Sequence, residues 1–87
     1  MASYELVFKK SVVKDLRAFP KQDVKRIMQR IRSLADEPRP AGCEKLSGLD
    51  RYRIRQGIYR IIYEIEDARL IVLVVKIGHR RDVYRSG

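Results

Sequence analysis

Three arginines at alternate positions are the residues with the clearest capacity for chemistry. Arg51, Arg53 and Arg55 are separated by Tyr52 and Ile54, and alternate side chains of a β-strand point to the same face. Guanidinium groups bind phosphate and carboxylate through paired hydrogen bonds. Three such cations repel one another unless an anion lies among them. The spacing therefore indicates either a phosphate-binding face or the solvated outer face of a sheet.

A fourth arginine belongs to the next β-prone segment. Alternation within Tyr59–Glu66 puts Tyr59 and Arg60 on opposite faces of a strand. A hairpin between the two segments can place Arg60 beside Arg53 or Arg55. Positioned cations of this kind stabilise the negative charge that develops on a phosphate in a transition state.

Two ring-bearing side chains late in the sequence complete the candidate set. His79 is the single histidine. Histidine as a residue type suits general acid–base catalysis at neutral pH, although a lone surface histidine is more often simply polar. Tyr84 can stack on an unpaired base or pack the tail onto the sheet. The sequence shows no carboxylate dyad, no glycine-rich phosphate loop and no metal-ligand spacing. We therefore expect no cofactor and no metal.

The composition favours a polyanionic partner. The 87 residues include 20 Lys and Arg against 11 Asp and Glu, a net charge of +9 that is spread over both halves of the chain. The single Cys43 excludes an internal disulfide. No apolar run approaches the roughly 18 residues of a membrane span, and the N-terminus lacks the apolar block of a signal peptide. We expect a cytoplasmic protein with no membrane partner.

Periodicity predicts a strand, two helices and three further strands. The first helix is expected to be capped by Ser11. Pro20 is expected either to end this helix or to open the second one, which ends before Pro38. Their apolar stripes are Val12, Val13, Leu16 and Phe19, and then Val24, Ile27, Met28, Ile31, Leu34 and Ala35. The predicted strands are Tyr4–Phe8, Arg51–Gln56, Tyr59–Glu66 and Leu70–Ile77, the last one ended by Gly78.

This order predicts an α+β fold in a single domain over residues 1–87. A helix hairpin packs on one face of a mainly antiparallel four-stranded sheet, in the order β-α-α-β-β-β. Residues Asp36–Leu49 form a connection that contains Pro and Gly. The sheet face opposite the helices carries the arginines, which is the arrangement that a phosphate backbone would fit.

Four segments of the chain resemble the RelE branch of the RelE/ParE toxin superfamily. They are Lys45–Gly48, Tyr52–Arg55, Gly57–Tyr63 and Val74–Tyr84. Glycine, tyrosine and arginine in the third segment, followed by Gly-His-Arg and a tyrosine in the last, form a fairly specific order. With the opening strand and helix hairpin, the resemblance covers essentially the whole chain and implies a RelE-like fold.

The resemblance implies a toxin of a type II toxin–antitoxin system. Such toxins are mRNA interferases that enter the ribosomal A site, where they meet mRNA and ribosomal RNA, and cut the mRNA by attack of a 2′-hydroxyl on the adjacent phosphodiester. They need no metal and no cofactor. A cognate acidic antitoxin of the RelB type neutralises them. The implied partners are therefore an antitoxin and the ribosome.

The resemblance also implies roles for individual residues. Arg60 matches the arginine that stabilises the phosphate during the reaction, and Arg80 matches a second arginine that acts as general acid or stabilises the leaving group. Tyr84 matches the tyrosine that stacks on an mRNA base and orients the nucleophile. Arg51 and Arg81 join the expected RNA-binding set.

Two positions depart from the family pattern. Arg53 and Arg55 stand where well-studied members carry lysines. Arginine cannot be deprotonated in a protein, so it cannot act as a base. Both residues are expected to stabilise charge on the transition state, and His79, beside Arg80, is the hypothesised base or acid.

Two alternative interpretations remain open at this stage. ParE-type toxins share the fold and inhibit DNA gyrase, but they generally lack the set that Arg60, Arg80 and Tyr84 match. A non-catalytic module that binds RNA or an antitoxin is compatible with the change from lysine to arginine at two positions.

Overall fold

The computed structural model describes residues 3–46 and 50–79. In chain order, the elements are β1 (Glu5–Phe8), α1 (Lys10–Ala18), α2 (Lys21–Ser33), β2 (Glu44–Lys45), β3 (Arg51–Gln56), β4 (Tyr59–Glu66) and β5 (Ile71–His79). The strands form one sheet in the order β1-β5-β4-β3-β2. β1 runs parallel to β5, and the other neighbouring strands pair antiparallel. The predicted α+β fold is confirmed.

The described sheet has five strands where four were predicted. The additional strand is β2, a two-residue segment within the predicted connection. Glu44 pairs with Arg53 and Lys45 pairs with Tyr52. Two residues offer no periodicity to detect in a sequence, and this strand exists because the edge of β3 presents unpaired backbone groups.

Proline separates the two helices. Phe19 is extended, with φ −85° and ψ 154°, as expected for a residue before proline. Pro20 then stands at the N-cap of α2. The predicted Ser11 cap is wrong, because α1 begins at Lys10 and its N-cap is Lys9, which makes no side-chain capping bond. The first turn instead closes through backbone N–H groups that donate to the carbonyl of Lys9.

The helices cover one face of the sheet and build the core with it. Val12 of α1 and Ile27 and Ile31 of α2 are completely buried. They pack with side chains of β3, β4 and β5 that share this face, namely Tyr52, Ile54, Tyr59, Ile61, Tyr63, Ile65, Val72, Val74 and Ile77. Val13 was predicted in the same stripe but is 40% exposed. Successive helix residues are about 100° apart, so only one of the two valines can face the sheet.

Both described hairpin turns contain a residue with positive φ. Gly57, with φ +59°, and Ile58 join β3 to β4, a pattern that matches a type II′ turn and favours glycine at its first position. Leu70 has φ +54° in the turn between β4 and β5. The strand that was predicted to begin at Leu70 therefore begins at Ile71.

β5 contains a β-bulge. Tyr63 pairs with Val74 and Ile62 pairs with Lys76, so Val75 is the extra residue. Beyond the bulge, alternation places Lys76 on the face opposite the helices and His79 on the helix face. The strand also continues past Gly78, which was predicted to end it, because the ladder with β4 extends to His79.

Candidate active site

The sheet face opposite the helices carries the predicted arginines of β3. Tyr52 and Ile54 are buried on the helix face, so Arg51, Arg53 and Arg55 point to the opposite face. Arg51 and Arg53 are half-buried and Arg55 is exposed. We call this surface, together with Arg60 of β4, the arginine face.

Arg60 lies directly opposite Arg55. The two residues are cross-strand partners in the β3–β4 ladder, as the sequence allowed. On the other side Arg60 pairs with Gly78, a position without a side chain. Arg60 is 6% exposed, and it is the one charged residue that is buried among those described. Arg60 also takes part in at least one interaction within the protein, and its low exposure shows that the side chain does not extend into solvent.

A small open cavity lies where these two arginines meet the hairpin turn. Its volume is about 50 Å³ and its lining residues are Arg55, Gly57, Ile58, Tyr59 and Arg60. This volume admits several water-sized groups. Two guanidinium-bearing residues at one cavity favour an anion such as a phosphate group.

Arg51 and Arg53 of the arginine face each pair with a carboxylate. Arg51 Nε donates to Glu64 Oε2 at 2.7 Å, and Arg53 forms an ion pair with Glu44 across the β2–β3 ladder. The hydrogen bond and charge of Arg53 lower the pKa of Glu44, with smaller contributions from other arginines of the face. The repulsion expected from adjacent cations is thus partly relieved within the protein.

Lys76 adds a cation that the sequence analysis missed. It is exposed and pairs with Ile62, which in turn pairs with Arg53. The three residues therefore form one row across the arginine face. The available signal was that Lys76 is the sole charged residue in the apolar run Leu70–Ile77. Its face depends on the bulge, which periodicity alone does not reveal.

His79 lies on the helix face, on the other side of the sheet from Arg60. It pairs with Tyr59, and the two rings meet edge-on with centroids 5.8 Å apart. Tyr59 also contacts Phe19, at 4.9 Å between centroids, and its hydroxyl donates to Asp23 Oδ2 at 2.7 Å. This bond raises the pKa of Tyr59 to about 12. The structure therefore does not bring His79 together with the arginine face.

Three predicted site residues lie outside the described residues. They are Arg80, Arg81 and Tyr84. Their expected contacts with RNA, and the expected catalytic roles of Arg80 and Tyr84, stay predictions.

The described part of the chain also bears on metal binding, membrane crossing and thiol chemistry. Residues 3–46 and 50–79 contain no group of three or more His, Cys, Asp or Glu side chains arranged to hold a metal ion. Neither described helix is long and apolar enough to cross a membrane. Cys43 is a half-buried free thiol.

The sequence matches a known toxin family over most of its length. A sequence profile described as "ParE toxin of type II toxin-antitoxin system, parDE" matches residues 6–84. The protein RelE1 of Methanocaldococcus jannaschii is 31% identical over 81 residues, which cover 88% of this chain and 90% of RelE1. The chain therefore belongs to the ParE toxin family of type II toxin–antitoxin systems.

Solved structures give the branch within the superfamily. The RelE–RelB complex of Pyrococcus horikoshii OT3 contains a chain that is 30% identical, with a TM-score of 0.79 over 90% of this chain and 96% of that one. A mutant of the E. coli toxin RelE in the free state is 26% identical, with a TM-score of 0.78 over 98% and 93% of the two chains. This protein is a RelE-type toxin of the RelE/ParE superfamily.

Proposed function

We propose that this toxin is a ribosome-dependent mRNA interferase. In this proposal it enters the ribosomal A site in the cytoplasm and cuts mRNA there, as an endoribonuclease that uses no metal ion. The observation that carries the proposal is the juxtaposition of Arg55 with the buried Arg60 on a face that also bears Arg51, Arg53 and Lys76. Such a face suits the phosphate backbone of RNA.

The reaction needs charge stabilisation more than it needs a strong base. The 2′-hydroxyl oxygen attacks the adjacent phosphorus, the bond from phosphorus to the 5′-oxygen breaks, and a 2′,3′-cyclic phosphate forms. The hydroxyl proton leaves as the new bond forms, and the departing 5′-oxygen gains a proton. Negative charge accumulates on the non-bridging oxygens meanwhile, and in this proposal Arg60 and Arg55 stabilise it. Because Arg60 is buried, its charge is less screened than that of an exposed arginine.

The remaining roles in the proposal follow the family pattern. Arg80 acts as general acid or stabilises the leaving oxygen, and Tyr84 stacks on a base of the mRNA and orients the nucleophile. Arg51 and Arg81 bind the RNA backbone. Arg53 contributes charge at the position where relatives carry lysine, and it cannot serve as base.

The proposal includes an antitoxin partner. Chains similar to this one occur in toxin–antitoxin complexes, among them the RelE–RelB complex of Pyrococcus horikoshii. A RelB-like antitoxin with an acidic surface would complement the net charge of +9. It would also neutralise the self-repulsion of the free toxin and so raise its stability.

Primer extension on ribosome-held mRNA tests the proposal. Purified ribosomes with an empty A site are incubated with wild-type toxin, Arg60→Ala or Arg60→Lys. The matched control is Arg69→Ala, which alters an arginine that is 72% exposed and lies in the β4–β5 turn. We expect a cut within the A-site codon for wild type and control, and a loss of about 10²–10³-fold for Arg60→Ala.

The other outcomes are equally informative. Arg60→Lys keeps the charge but loses the paired hydrogen bonds of a guanidinium, so its activity is expected to be intermediate. Cutting of free RNA would retain the nuclease and discard ribosome dependence. No cut from a folded wild-type toxin would contradict the proposal.

Inhibition of DNA gyrase is the second candidate function. The match of residues 6–84 to the ParE toxin family favours it. A supercoiling assay with purified gyrase separates the two, because an interferase leaves supercoiling unchanged at toxin concentrations that cut ribosome-held mRNA.

A further inference from the structure

Glu44 occupies a place among the arginines that the family pattern leaves without a role. Its backbone pairs with that of Arg53, and its carboxylate accepts a hydrogen bond from the Arg53 guanidinium. Arg55 and Arg60 are close enough to act on the same carboxylate, and they add to the lowering of its pKa. Guanidinium groups bind carboxylate and phosphate with similar geometry. An internal anion is thus seated where the proposed function needs a phosphate of the substrate.

We propose that Glu44 is a specificity-determining residue that competes with RNA phosphate for Arg53, so that RNA must displace this carboxylate to bind the arginine face. The inference rests on the proposed function and deepens it. Displacement exchanges one singly charged anion for another, so a loosely held RNA gains little from it. An RNA that is already held in place, as mRNA is on a ribosome, presents its phosphate at a much higher effective concentration. Glu44 therefore disfavours free RNA more than ribosome-held mRNA.

The position of Glu44 makes displacement possible. β2 has two residues and lies at an edge of the sheet, and the Glu44 side chain is 53% exposed. The Arg53 side chain is 24% exposed, so the ion pair is open to solvent mainly on the side of Glu44, where screening by water limits its contribution to stability. Glu64, the partner of Arg51, differs because it lies on β4 in the interior of the sheet.

A comparison of two glutamate-to-glutamine substitutions tests this role. Glu44→Gln removes the competing charge, and Glu66→Gln is the matched control. Glu66 pairs with Arg69 at 3.6 Å, and its side chain is also 53% exposed. Each variant raises the net charge by one, so long-range attraction to RNA changes equally. The probe is a fluorescent single-stranded RNA with 2′-O-methyl groups throughout, which cannot be cut, and binding is followed by anisotropy over a range of KCl concentrations.

Glu44→Gln is expected to bind this RNA more tightly than Glu66→Gln, by up to about fivefold. Its plot of log affinity against log salt is expected to run parallel to that of Glu66→Gln, because once Glu44 is displaced the bound RNA makes the same phosphate contacts in both proteins. Glu44→Ala, which also removes the hydrogen-bonding amide, is expected to bind at least as tightly as Glu44→Gln. Urea unfolding of each variant verifies that the fold is intact.

Three results would overturn the inference. Equal affinities of Glu44→Gln and Glu66→Gln would show an effect of net charge alone. Weaker binding by Glu44→Gln would mean that Glu44 orients Arg53 for RNA rather than competing with it. Failure of every variant to bind at the lowest salt would mean that the arginine face does not bind RNA.

Whether the toxin is an mRNA interferase is tested separately. The same proteins are assayed for cutting of ribosome-held mRNA. A wild-type toxin that does not cut, with Glu44→Gln still binding RNA more tightly than Glu66→Gln, would end the interferase proposal and leave the competition between Glu44 and phosphate in place. A wild-type toxin that cuts, with equal binding by the two variants, would do the reverse.

Discussion

Arg55 and Arg60 face each other across the ladder of β3 and β4. Arg55 is exposed, whereas Arg60 is buried, with 6% of its surface accessible. Like charges directly opposite each other destabilise a sheet. The Glu44 carboxylate, whose pKa both arginines help to lower, offsets part of this repulsion, and an anion bound between the two guanidinium groups would offset more of it. The relationship is therefore typical of a binding site, where stability and activity make opposite demands.

Replacing Arg55 is expected to stabilise the toxin while impairing it. Arg55→Gln removes one charge from the pair, so the free energy of unfolding is expected to rise by about 0.2–1 kcal/mol, while cutting of ribosome-held mRNA falls. Urea unfolding at low salt measures the first effect. Arg69→Gln serves as control, because Arg69 faces an acidic neighbour, Glu66, and its loss should not stabilise the fold. A less stable Arg55→Gln would show that Arg55 has net favourable contacts.

The carboxylate of Asp67 is expected to make stability depend on acid pH. Arg39 donates two hydrogen bonds to it, at 2.8 and 3.2 Å, and the Tyr4 hydroxyl donates a third at 2.7 Å. The hydrogen bonding of Arg39 and Tyr4 lowers its pKa from 3.8 to about 2. The folded form thus holds the proton less tightly than the unfolded form. The stabilisation is complete above about pH 4 and is lost as the pH falls through about 2.

Urea unfolding between pH 2 and 5 tests this expectation. Wild-type stability should fall more steeply over that range than the stability of Asp67→Asn, which lacks the titrating group. Asp36→Asn alters an exposed aspartate in the turn after α2. It is the matched control for the loss of one carboxylate, and its stability should fall with pH as steeply as that of wild type. Parallel curves for wild type and Asp67→Asn would contradict the assigned pKa.

Leu70 is expected to be replaceable with a gain in stability. Its φ of +54° lies in the left-handed region, which costs an ordinary residue about 1–2 kcal/mol and is tolerated better by asparagine. Leu70 is also 38% exposed and does not belong to the buried core, so the packing lost on replacement is smaller than for a core leucine. Leu70→Asn is expected to raise the free energy of unfolding by about 1 kcal/mol. Ala68→Asn, in the same turn without positive φ, should give no such gain in a thermal or urea unfolding experiment.

A replacement that keeps an aromatic ring but removes the imidazole nitrogens tests the role of His79. His79→Phe preserves an aromatic contact with Tyr59 but cannot transfer a proton. Because the imidazole lies on the opposite side of the sheet from Arg60, we expect this variant to cut ribosome-held mRNA at the wild-type rate. A loss of about 10²–10⁴-fold, the range for acid–base catalysis, would assign His79 as the base or acid that the sequence analysis hypothesised.

Strong local patterns predicted the strands that carry the arginines. β3 and β4 have the predicted bounds, Arg51–Gln56 and Tyr59–Glu66, because strict alternation and the glycine of a two-residue turn mark them clearly. β2 was missed because it depends on the edge that β3 offers, which is a long-range property. The left-handed Leu70 was missed because leucine gives no signal for that conformation.

The sequence predicted the arginines of the candidate site, but it did not predict that Glu44 and Lys76 lie beside them. Alternation and the hairpin placed Arg55 and Arg60 together. No local pattern indicated that Glu44 reaches Arg53 from another strand, or that Lys76 joins the same face. Both depend on register, and for Lys76 on a bulge, which is set by packing of the whole sheet rather than by the segment itself.

Because of the bulge, β5 contains one residue, Val75, that has no partner in the ladder with β4. If Val75 were deleted, Val74 and Lys76 would become neighbours in a regular ladder, and every later residue of the strand would keep its present side of the sheet. The toxin can therefore change length by one residue at this point without exchanging a buried position for an exposed one. A gap at Val75 in an alignment with a related toxin would indicate a shorter strand with the same residues on the arginine face, whereas a gap two positions later would place a different set of residues there.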